Sequence, residues 1–148
     1  CEARDVLEYG DMTKKPFGDV KDYQYLFNKE NSVKSFIDKY GYEYLNLLSV
    51  FDFFAFYRYI YSEVERINNI ENILLSYEPT NEEIEAGMDG MAKFSAIIQI
   101  DALAGGDVLK YESIRKLTYE DGLTKLALDK ERNEYQKRYM KIITRKKN

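Results

Sequence analysis

The chain contains no histidine and no tryptophan, and its 148 residues include one cysteine and two prolines. Lack of histidine removes the commonest general base and the commonest transition-metal ligand, so Ser-His-Asp and Cys-His catalysis and His-containing zinc sites are excluded. The only cysteine is Cys1, which excludes an intrachain disulfide and a thiolate metal cluster; oxygen-ligand Mg²⁺ or Ca²⁺ sites are what is left. The most apolar run, Leu47 to Tyr61, holds Asp52 and Arg58 and is bracketed by Glu43, Glu63, Glu65 and Arg66. A membrane span needs about 20 residues nearly free of charge, so this run is expected in a core or an interface. No internal repeat and no Gly/Ser-rich or Pro-rich linker divides the chain.

Apolar residues make up 45% and charged residues 32%, the balance of a folded globular chain and one long enough to bury a core. Apolar spacing predicts an all-α, single-domain irregular bundle of about four or five helices. Residues 1–31, with Gly10, Pro16 and Gly18 among scattered aromatics, read as a loop-rich N-terminal arm holding a short helix near Val20 to Phe27 capped by Asp19. Residues 32–148 form the helical domain. Ser32 opens a helix that ends on Gly41. The aromatic run then reads as one helix from about Tyr42 to Leu75, since a strand reading would need a turn that the segment lacks.

Pro79 closes that helix, and Thr80 with Glu83 three residues later is a capping box that starts the next. Ile84, Met88, Met91, Ile98 and Ala102 repeat at helical spacing until Gly105 and Gly106 stop it. Gly87, Gly90, Ala92 and Ala96 suggest a slim helix packed closely on the aromatic one. Asp107 caps a short helix to Leu117, and Thr118 with Asp121 starts a last helix from Tyr119 to about Ile143 that is expected to project.

Glu82, Glu83, Glu85 and Asp89 crowd a helix start, where the macrodipole favours acids without any chemistry. Asp52 and Arg58 are about 240° apart around a helix and do not pair along one face, so Asp52 is expected to find a cation elsewhere. No nucleophile, base and orienting group assemble at recognised spacing, and no catalytic residue, metal site, cofactor or small-molecule substrate is assigned.

Two sets of residues qualify for contact with a partner. Fourteen tyrosines are more than one small core easily uses; they indicate oligomer or partner contacts, or a coding bias toward Tyr, Asn, Ile and Lys. Phe53, Phe56, Tyr57, Tyr61, Tyr135 and Tyr139 are the candidate protein interface. From Lys130 onward the chain is basic although its net charge is −4. Lys137, Arg138, Lys141, Arg145, Lys146 and Lys147 are candidate contacts to an anionic partner, nucleic acid among them, or a solvated helix face.

The stretches Tyr9-Gly10-Asp11, Pro16 to Asp22 and Gly105 to Tyr111, before a final charged helix, resemble small all-α morphogenesis proteins of tailed bacteriophages, notably tail-assembly chaperones. That resemblance, of length, helix order and style, implies a non-enzymatic assembly or structural protein of the host cytoplasm or virion and transfers no site residue. Two alternatives stand beside it: a bacterial surface lipoprotein lipidated at Cys1, or a nucleic-acid-binding protein using the basic C-terminal arm.

Overall fold

The computed structural model describes residues 9–27, 32–41 and 49–147. Every regular element among them is helical. The order is a 3₁₀ turn (Met12–Lys14), α1 (Phe17–Phe27), α2 (Ser32–Phe36) continued by a π-helical turn (Ile37–Gly41), α3 (Val50–Leu75), α4 (Asn81–Glu85), a 3₁₀ stretch (Met88–Phe94), α5 (Ser95–Ala104), a 3₁₀ turn (Val108–Lys110), α6 (Tyr111–Arg115) and α7 (Tyr119–Lys147). The expected all-α architecture is the observed one. The Cys1 lipidation reading falls outside the described residues.

The axis of the core is α3. Phe53, Phe56, Ile60, Val64 and Ile67 recur at the three- and four-residue spacing of one helix face, and all are buried. Phe17, Val20 and Leu26 of α1, Phe36 of α2, Ile100 of α5 and Tyr119 and Leu123 of α7 pack around that face. Phe36 is the hub, its ring centroid 5.4 Å from Phe53, 5.2 Å from Tyr57, 5.8 Å from Phe27 and 4.9 Å from Tyr40.

Residues 9–27, within the expected loop-rich arm, are instead largely helical, and the rest of that arm lies outside the described residues. Its helix begins at Phe17, directly after Pro16, three residues before the expected start, and Asp19 lies in its first turn. Phe17 N–H donates to the Leu117 carbonyl (2.7 Å) and Tyr119 N–H to that of Lys15 (2.9 Å), which ties the start of α1 to the start of α7. Phe17 stacks on Tyr119 at 5.3 Å. Gly122, in the first turns of α7, makes this approach possible: a Cβ there would penetrate the Phe17 ring. Upstream, Arg66 donates to both Glu63 oxygens (3.0 and 2.7 Å) and to Asp11 (2.8 Å), while Met12 N–H donates to Glu63 (3.2 Å). These bonds fasten the first turn to α3.

Further expectations are corrected. The aromatic helix does not run continuously from Tyr42: Ser49 is extended and caps Val50–Leu75, accepting from Asp52 N–H at 3.2 Å. Asp52 takes a hydrogen bond from the Ser49 hydroxyl (2.7 Å), so as an acid in the first turn of the helix it needs no cation from another helix. Residues 42–48 fall outside the described residues. The helix expected over 81–104 breaks at Gly87, whose φ of 82° belongs to the left-handed region, and continues as 3₁₀ before α5. Nothing lies within contact of a Cβ at Gly87 or Gly90, so neither glycine serves a close approach. The aromatic helix packs chiefly against α1, α7 and the Phe36 ring of α2; α5 adds Ile100 and a hydrogen bond from Gln99 to Glu71 (3.4 Å) while lying chiefly against α6 and α7.

Candidate interaction surface

Thr80 accepts from Glu83 N–H (3.3 Å) and Glu83 accepts from Thr80 N–H (2.9 Å), the capping box that launches α4. Tyr77 donates its hydroxyl to the same Glu83. Past this anchor, the helix ends at the left-handed Gly87 and the chain continues as 3₁₀. Ile84, Met88, Met91, Phe94, Ile97 and Ile98 are all between 38% and 55% exposed. Runs of apolar side chains in water at this density mark contact surfaces on soluble proteins, and methionine adapts to varied partners. Interspersed with them are Glu82, Glu85 and Asp89, which form no ion pair among the described residues.

A second surface runs along the outer half of α7. Tyr135 and Tyr139 are exposed and stack at 6.1 Å with 13° between ring planes, and Leu128, Met140 and Ile142 are exposed beside them. At about 100° per residue, Leu128, Tyr135, Tyr139 and Ile142 lie within about 60° of arc, with Arg138, Lys141 and Arg145 flanking one side. Lys137 pairs with Glu134 (3.4 Å) and Arg138 with Glu131 (2.7 Å) on the helix itself. Lys141, Arg145 and Lys146 form no ion pair among the described residues. The side chain of Lys147 lies outside them.

The expected interface residues divide. Tyr135 and Tyr139 are at the surface, Tyr61 is partly exposed and Tyr57 is half-buried, its hydroxyl 3.1 Å from that of Ser32. Phe53 and Phe56 are corrected: they point along the inner face of α3 and complete this chain's own core, so no partner reaches them. Of the six apolar residues of 84–98, Ile84, Met88, Met91 and Ile98 belong to the stripe whose helical spacing predicts packing on the aromatic helix. The signal against that was the carboxylate density around them and the glycine at 87, which ends a helix before it can present one continuous face.

One charge cluster is buried. Lys21 is 8% exposed; its ammonium donates to Gln24 (2.7 Å) and to Glu71 (2.5 Å) and lies over the rings of Phe17 and Tyr119 at 5.5 and 5.6 Å. The Tyr119 hydroxyl donates to Glu71, and Gln24 donates to Asn68 (2.7 Å). Burial pulls the Lys21 pKa below its ordinary value, opposed by the Glu71 charge, and burial likewise pushes the Tyr119 phenol up, assisted by the same carboxylate. A cleft of about 230 Å³ adjoins Lys21, with Arg115 on its rim held to Asp22 at 2.8 Å. Its charged groups are matched to one another, which is how a buried ion pair is made tolerable in a core. Among the described residues no group of three or more carboxylates is arranged to hold a metal ion, and no helix is long and apolar enough to cross a membrane.

No family model, curated protein or solved structure matches this chain.

Proposed function

We propose that this chain is a non-enzymatic helical protein that acts through protein-protein contacts. The observation that carries the reading is the 84–98 segment, whose six large apolar side chains stay 38% to 55% exposed although the inner half of the same fold buries its own. Leaving such a patch solvated costs about 25 cal/mol per Å² of apolar surface that a partner would cover. The tyrosine stripe of α7 adds a second face of the composition favoured in interfaces. The phage-like stretches support placing the role in virion assembly, with the host cytoplasm or the virion as its place of action.

Light scattering over a concentration series, with affinity capture by wild type and by M91D/I98D, tests the reading. The expected result is a mass above the monomer or a captured protein, lost in the variant. A monomer at every concentration that captures nothing overturns it. Capsid, portal or tape-measure genes beside the coding sequence support the assembly role, and an unrelated operon counts against it.

A further inference from the structure

We infer that the partner is a second copy of this chain, docked reciprocally: the outer turns of α7 of each copy lie on the acidic, methionine-bearing 81–98 segment of the other. The inference rests on the interaction reading and specifies its occupant.

Complementarity within one sequence carries it. The 81–98 surface combines apolar side chains with three carboxylates that pair with nothing among the described residues, Glu82, Glu85 and Asp89. Outer α7 combines a tyrosine-isoleucine stripe with three cations in the same condition, Lys141, Arg145 and Lys146. An amphipathic helix offering anchors at i, i+4 and i+7 is the shape that a groove or apolar surface accepts, and the opposed charges fix its direction.

Within one chain the two surfaces approach each other at their bases, where the Lys137 charge acts on Glu83. The Lys130 ammonium donates to the Leu74 carbonyl (3.2 Å), and the Lys137 ammonium lies 6.0 Å from the centre of the Tyr77 ring. Among the described residues, Lys137 makes the last hydrogen bond, ion pair or ring contact from α7 to another element. Beyond it the helix continues for about 15 Å at 1.5 Å per residue, and a continuous helix does not fold back on its own base. Two-fold pairing lets each copy supply both surfaces, closes the assembly, and doubles a short contact toward the roughly 1,200–2,000 Å² of stable interfaces.

Charge exchange tests this directly. One variant carries E82K/E85K/D89K and leaves the Thr80–Glu83 box intact; the other carries K141E/R145E/K146E. Both change exposed side chains, and circular dichroism checks that each stays helical. In sedimentation at low salt, wild type is expected at twice the 17.5 kDa chain mass. Each variant alone is expected to self-associate at least about tenfold more weakly. Their equimolar mixture restores the dimer, because both contacts in the mixed pair are again of opposite sign.

A monomeric wild type overturns the inference, yet leaves the interaction reading standing if capture finds another protein. A dimer insensitive to either variant overturns the docking mode, and so does a mixture that stays monomeric. Binding of a short DNA duplex by wild type, lost in K141E/R145E/K146E while the oligomeric state is unchanged, assigns the cations to nucleic acid and also overturns it.

Discussion

The inner and outer halves of this molecule draw on similar residues and treat them in opposite ways. Inside, Phe36, Phe53 and Phe56 interlock, and the buried Lys21 and Glu71 answer each other. Outside, Phe94, Tyr135 and Tyr139 remain in water, and Glu82, Glu85, Asp89, Lys141 and Arg145 form no ion pair among the described residues. Aromatic content alone therefore does not mark an interface. What separates the halves is whether a second element of the chain reaches the same face: α1, α7 and the Phe36 ring of α2 all reach α3, and among the described residues nothing comparable covers 84–98.

The comparison breaks most visibly under truncation. Phe36→Ala is expected to cost about 3–5 kcal/mol in urea unfolding, against less than about 0.5 kcal/mol for Phe94→Ala measured on the dilute chain. Equal costs would mean that the outer face is packed after all. Lys21→Ala leaves Glu71 as an uncompensated, largely buried carboxylate and is expected to cost about 3 kcal/mol, while the apolar pair K21M/E71L recovers most of that. Lys141→Ala should leave the dilute chain's midpoint unchanged.

Gly122→Ala sharpens the comparison within α7. The added methyl meets the buried Phe17 ring, and overpacking of this kind costs about 1–3 kcal/mol, although alanine is the better helix former. A lowered melting temperature is the expected reading.

The smallest effect is on pH. Asp11 is held below its ordinary 3.8 first by its hydrogen bonds to Thr13 and then by Arg66; Glu63 is held below 4.5, chiefly by Arg66. For a depressed carboxylate the stabilisation is present above the unfolded value and is lost as pH falls through the folded one. Stability is therefore expected to decline as pH drops below about 4.5, with a shallower slope in D11N/E63Q. Because Asp11 and Arg66 are well exposed, solvent screens this contribution to less than about 1 kcal/mol.

Much of the helical punctuation was legible in the sequence. The Thr80–Glu83 box, the left-handed Gly105 and Gly106 and the Thr118–Asp121 start all stand where their side-chain chemistry put them. The Ser49–Asp52 cap was not read, because it sits within an apolar run whose composition masks a local signal. The buried ion pair had a detectable sign. Lys21 falls on the face of Phe17 and Gln24, and Glu71 on that of Val64 and Ile67, so each is a charge at a core position. Which apolar faces stay uncovered was not legible, since periodicity gives the face of a helix and not the neighbour that reaches it.

Hydrogen exchange at two protein concentrations tests the division most directly. The account predicts that amides of 84–98 and of α7 beyond Tyr135 gain protection as concentration rises, while those of α3 between Phe53 and Ile67 are unchanged. Protection at the outer segments that is independent of concentration, and already equal to that of α3, would contradict it.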